Sequence, residues 1–126
     1  MTSDELKRRT KQFALRVMKL VDALPRTTAG RAIGGQLIRA GTSVGANYRA
    51  ACRGRSKAEF AAKMGTVAEE ADESCFWLEL IIDGSLLEER IVKPLLDEAN
   101  ELTAIFTSAG KTARLSNQQS KIESRT

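Results

Sequence analysis

The chain contains no histidine. That excludes Ser-His-Asp and Cys-His nucleophilic catalysis, and it excludes the Glu-x-x-His ligands of di-iron helical bundles. Proline is nearly absent too: only Pro25 and Pro94 interrupt 126 residues, and good helix formers dominate the rest. Two cysteines, Cys52 and Cys75, stand at no metal-ligand spacing and suit a reducing compartment. No run reaches the roughly 18 apolar residues of a membrane span. The opening MTSDELKRRTKQF lacks the apolar stretch of a secretory leader. A cytoplasmic location without a membrane partner is expected.

Charge of one sign is scarce in each half. Residues 1–63 carry 14 Lys/Arg against 4 Asp/Glu; residues 64–126 carry 6 against 12. Opposite halves of this kind suggest an acidic partner, or a complementary surface on a second copy of the chain. A single domain of this length buries a modest core, so self-association is a natural way to bury more.

Four helical periods run along the chain. In the first, about 3–24, Leu6, Thr10, Phe13, Val17, Leu20 and Leu24 recur at steps of four and three. Ser3 is the expected N-cap, and Pro25 the stop. The second, about 28–53, buries Ile33, Leu37, Ala40, Val44, Tyr48 and Ala51. It keeps Gly30, Gly34, Gly35, Gly41 and Gly45 at a cost of about 0.8–1 kcal/mol per interior glycine. Such retention implies close approach by another helix or another subunit. The third, about 56–83, opens on Ser56-Lys57-Ala58-Glu59, a capping box, and closes near Asp83-Gly84 with an αL-type stop expected. Its seam is Phe60, Met64, Val67, Ala71, Cys75 or Ser74, Leu78, and Ile81 or Ile82. The fourth, about 88–113, has the seam Ile91, Leu95, Ala99, Leu102, Ile105 or Phe106, and Ala109. Residues 115–126 are polar, lack a seam, and are expected to be disordered. Short connections make the predicted fold all-α, an up-down-up-down antiparallel four-helix bundle over residues 1–114.

That topology brings distant charges together. The start of helix 1, the turn after helix 2 and the end of helix 4 share one end of such a bundle. They carry Lys7, Arg8, Arg9 and Lys11; Arg49, Arg53, Arg55 and Lys57; and Lys111 and Arg114. Arginine suits bidentate phosphate contact, so this end is a candidate nucleic-acid-binding surface. Cations at helix C-termini also offset the macrodipole and aid solubility. That bland account fails for Lys7, Arg8 and Arg9, which lie near a helix N-terminus.

Other motifs yield less. Gly110-Lys111-Thr112 resembles the tail of a phosphate loop, but Ile105 stands where such a loop needs glycine. Glu69, Glu70, Asp72, Glu73 and Glu79 read as a solvated or inter-subunit face. Glu70 or Glu73 could pair with Arg39 or Asn47, with Ser43 in the same network. Trp77 and Tyr48 are read as packing residues rather than base-stacking ones. No cofactor, metal or catalytic residue is indicated.

The run SVGANYRAACRGRSKAEF, with EEADESCFWLEL and DEANELTAIF after it, resembles the small bacterial four-helix bundle proteins called the S23, or 23S rRNA intervening-sequence, family. The accessory proteins of diversity-generating retroelements are similar at greater distance. The resemblance spans Phe13 to about Arg114 and rests most on Ser43, Asn47, Arg53, Ser56, Glu59 and Phe60; Arg53 belongs to the candidate contact surface, and the other five are read as structural positions. It implies a ring-like homopentamer. In the retroelement relatives it implies nucleic-acid and reverse-transcriptase binding through a basic surface. Two functions follow as expectations: a non-enzymatic, oligomeric RNA- or DNA-binding adaptor, or a protein–protein scaffold without nucleic acid. The missing histidine and the lack of a convergent site argue against an enzyme.

Overall fold

The computed structural model describes residues 1–125. Among these there are four helices and no strand: α1 (Ser3–Asp22), α2 (Thr28–Cys52), α3 (Lys57–Asp83) and α4 (Glu89–Ser124).

Local chemistry sets the helix ends, in places a residue away from expectation. The cap of α1 is Thr2, not Ser3. Its hydroxyl accepts the Glu5 N–H at 3.1 Å, and the Glu5 carboxylate accepts the Thr2 N–H at 3.4 Å, a complete capping box. The cap of α3 is Ser56, whose hydroxyl accepts the Glu59 N–H at 3.1 Å. Here the reciprocal bond shifts by one: the Glu59 carboxylate accepts the Arg55 N–H at 3.2 Å instead of that of Ser56. At the other end of α3 the left-handed residue is Ser85, with φ 56°, whereas Gly84 has φ −82°. Gly84 only caps the helix, its N–H bonding the Leu80 carbonyl at 2.8 Å.

The helices pack as consecutive antiparallel neighbours. A Cβ added at Gly45 would meet Thr10, one at Gly41 would meet Val17, and one at Gly34 would meet Leu24 and Val21, so α2 descends as α1 rises. These glycines admit side chains of α1, which is why α2 retains them; Gly35 alone in α2 faces open space. Arg39 of α2 pairs with Glu70 and Glu73 of α3. Met64 and Cys75 of α3 meet Gly110 and Thr103 of α4 in turn. Helix α1 closes on α4 along a narrower seam, and the diagonal pairs α1–α3 and α2–α4 have no close backbone approach, although the Tyr48 ring of α2 reaches Phe106 of α4 across the core.

Every expected seam position of α1 is buried, including Thr10, whose hydroxyl donates to its own Leu6 carbonyl at 2.8 Å. In α3, Ser74 and Cys75 both lie inside, while Phe60 is half-buried. The seam of α4 holds at Leu95, Ala99, Leu102 and Phe106 and departs from expectation only at its ends. Val92 and Gly110 are buried, Ile91 is exposed and Ala109 is half-buried. Pro94 lies in the second turn on the exposed side.

The largest departure is the length of α4. It runs to Ser124, through residues expected to be a disordered tail; Thr126 of that tail lies outside the described residues. No glycine or proline follows Gly110, so nothing breaks a helix already nucleated by packing. Polar composition removed the seam without removing the helix.

Candidate nucleic-acid interface

Three contacts tie the expected basic end together. The Ser3 hydroxyl lies 3.6 Å from the Cys52 sulfur, joining the start of α1 to the end of α2. The Tyr48 and Phe106 rings meet at 5.2 Å between centroids. Burial raises the Tyr48 phenol above its ordinary pKa. The Lys57 ammonium donates to the Ser120 hydroxyl at 2.6 Å, joining the start of α3 to the far part of α4.

Among the described residues, the cations gathered here have no acidic partners. Arg8, Lys11, Arg49, Arg53, Arg55, Lys57, Lys111 and Arg114 are exposed, and Lys7 is half-buried. None of them makes an ion pair among the described residues. The ion pairs found there use Arg9, Arg39, Arg90 and Lys93 instead. Arg9 is therefore removed from the expected set. Its guanidinium is held by Glu98 and Glu101 of α4, and its hydrogen bond to Glu98 raises its pKa further. The acids near the free cations are few, and two are engaged: Glu5 in the α1 cap and Glu59 on the Arg55 amide.

Of the expected structural positions, Ser56 caps α3 and Glu59 completes the turn. Ser43 donates to its own helix, at the Arg39 carbonyl, 2.6 Å away. Arg39 takes both Glu70 and Glu73, so the anticipated network reaches neither Ser43 nor Asn47 through a side-chain bond. Tyr48 is buried, and Trp77 packs edge-on to Phe76, 5.0 Å away in the acidic part of α3; neither presents a ring at the basic end. No cluster of metal-ligating side chains occurs among the described residues, and no helix there is long and apolar enough to cross a membrane.

Phe60 has a place that spacing did not reveal. It lines a cavity of about 680 Å³ between the α2–α3 turn and α4. Ala51 and Cys52 come from α2; Arg55 and Ser56 from the turn; Lys57, like Phe60, from α3; Ala109, Thr112, Ala113 and Ser116 from α4. Of the α4 wall, Ala109, Thr112 and Ala113 fall within the expected helix, and only Ser116 lies in the residues expected to be disordered. The lack of a helix breaker after Gly110 was the signal that could have found it.

No curated protein matches the chain. A solved structure of a protein of unknown function from the S23 ribosomal protein family of Bacteroides thetaiotaomicron is similar throughout. The two are 29% identical, with a TM-score of 0.80, over 88% of this chain and 99% of that one. The sequence also matches the 23S rRNA-intervening sequence protein family over residues 4–108, which takes in all of α1 except its first residue, α2, α3 and most of α4. The chain therefore belongs to the 23S rRNA-intervening sequence protein family.

Proposed function

We propose that this protein is a non-enzymatic RNA-binding adaptor that grips the phosphate backbone with the basic end of its bundle. The observation that carries the reading is a set of cations that form no ion pair among the described residues: Arg49, Arg53, Arg55, Lys57, Lys111 and Arg114, brought to one end from three segments. Surface charge serving only solubility tends to be interspersed with the opposite sign. The family's link to an rRNA intervening sequence favours RNA over DNA as the first ligand to test.

The test is titration of labelled RNA at two salt concentrations. Each phosphate neutralised steepens the log–log salt dependence by roughly 0.7–0.9. Replacing Arg49, Arg53 and Arg55 by Gln is expected to weaken binding and flatten that slope with the fold intact. No binding at low salt, or an unchanged slope in the triple variant, defeats the reading.

A second observation supports self-association. On the outward face of α1, Arg8, Lys11 and Lys19 surround exposed Leu15 and Met18. On the outward face of α3, Glu69, Asp72, Glu79 and Asp83 surround exposed Phe76. Both sets recur at steps of three and four, so each is one continuous stripe. Because α1 and α3 occupy diagonal corners, the stripes point away from each other. A copy docked stripe to stripe makes a head-to-tail contact, which closes into a ring when the rotation permits. Five copies is the number the family resemblance implies. Arg8 and Lys11 then belong to the contact between copies, and the RNA surface contracts to the α2–α3 turn and the end of α4.

A further inference from the structure

We infer that the cavity beside Phe60 receives one unpaired nucleobase, which makes the basic end a reader of single-stranded or bulged RNA in preference to duplex. The inference rests on the RNA-binding reading above. The cavity's volume of about 680 Å³ lies within the ordinary range for small-ligand sites. Its walls alternate in the way a nucleotide does. Ala51, Phe60, Ala109 and Ala113 offer apolar surface to the flat face of a base. Thr112 and Ser116 bring hydroxyls to its polar edge.

The cations stand where the flanking phosphates would run. Arg55 and Lys57 line the cavity, and the Lys57 ammonium bonds Ser120, one turn of α4 beyond Ser116. The basic surface continues from these two to Arg53, Lys111 and Arg114. A base held in a duplex cannot enter without leaving its partner, whereas an unpaired base is free to unstack onto an aromatic wall. A lipid chain or an apolar peptide would fill the same volume, but neither accounts for a cationic lining that merges with a surface whose cations form no ion pair among the described residues.

The experiment has two readouts. A fluorescein-labelled single-stranded 12-mer RNA and a blunt duplex of the same sequence are titrated by anisotropy at equal salt. A surface that only counted phosphates would favour the duplex, whose charge density is greater. Here the single strand is expected to bind roughly tenfold tighter, the effect of one stacked base. Alkylation of Cys52, a half-buried residue of the cavity wall, is followed in parallel with buried Cys75 as internal control. Bound single strand is expected to slow the reaction at Cys52, and bound duplex to leave it unchanged. The double variant Ala113→Leu, Ser116→Leu fills the cavity without removing a charge. It is expected to lose the single-strand preference while retaining duplex affinity and helix content. Equal affinity for strand and duplex, undiminished Cys52 alkylation with the strand bound, or a preference that survives in the filled variant overturns the base pocket alone. Failure of the native protein to bind either RNA overturns the RNA-binding reading itself, and the pocket with it.

Discussion

The Arg9 guanidinium donates two hydrogen bonds to the Glu98 carboxylate, both at 2.7 Å, and so fastens α1 to α4. Glu101 lies 3.3 Å from the same group. The pair is partly shielded, with side-chain exposures of 25% and 15%. A bidentate, charge-assisted contact of this kind contributes about 1 kcal/mol where a fully exposed pair gives less. Arg9→Gln is expected to lower stability by about that amount in chemical denaturation. Its RNA salt slope is expected to stay as in the native protein, because Arg9 is already occupied.

The glycines of α2 give a pair of opposite outcomes. A Cβ at Gly41 would lie 2.8 Å from one Val17 methyl and 3.0 Å from the other. Gly41→Ala is expected to cost about 1–2 kcal/mol through overpacking. Gly35 faces open space, so Gly35→Ala is expected to gain about 0.8–1 kcal/mol from helix propensity alone. Denaturation midpoints of the two variants, moving in opposite directions, check both.

Ser56 supplies the first turn of α3 with a partner for the Glu59 N–H. Ser56→Ala is expected to destabilise the bundle by about 1 kcal/mol. Thr2→Ala is expected to fray α1 in the same way, whereas Ser3→Ala leaves the cap in place. Helix content and the thermal midpoint distinguish the three.

Burial raises the Cys75 thiol above its ordinary pKa of 9.0, with a smaller opposing effect from its contact to Thr103. At pH 8, Cys52 is expected to react with an alkylating reagent while Cys75 stays protected until the bundle unfolds. The same shift makes stability depend on pH. A thiol whose folded pKa exceeds its unfolded value contributes fully below the unfolded value, and that contribution is lost as pH rises above it. Stability is therefore expected to fall as pH climbs past about 9.0, and Cys75→Ala is expected to flatten the decline.

The complementary stripes are checked by mass. Light scattering of the native protein is expected to give a multiple of 13.8 kDa. Phe76→Lys puts a cation at the centre of the acidic stripe, opposite a basic one, and is expected to return the chain to its single-copy mass. A native protein already at that mass ends the self-association reading.

Periodicity made most of this bundle readable in advance. Steps of three and four at Leu6, Phe13, Val17 and Leu20 require an inward face whatever the neighbours are. The glycines of α2 announced close approach, and α1 side chains supply it. Other features depend on three-dimensional partners that one-dimensional spacing does not carry. Ile91 and Val92 are adjacent and equally apolar, and only the rotation of α4 against α3 decides which one is buried. Arg9 reads as one more cation until Glu98, 89 positions away, comes opposite. The cavity is the strongest case: its walls lie on segments far apart in the chain, and one lining residue, Ser116, belongs to the stretch expected to be disordered.

The narrow seam between α1 and α4 bears on how the molecule breathes. Every broad helix contact joins elements that are adjacent in sequence, so three successive hairpins can form without any long loop closing first. Such local connectivity favours rapid folding. It also leaves α1 as the flap of the structure, attached broadly on one side and clasped on the other by Arg9. Amide exchange would report this opening as a cooperative unit of lower free energy than α3. Each excursion would bare Phe13 and Val17 and swing the basic stripe of α1 outward. A neighbouring copy seated on that stripe would hold the flap shut.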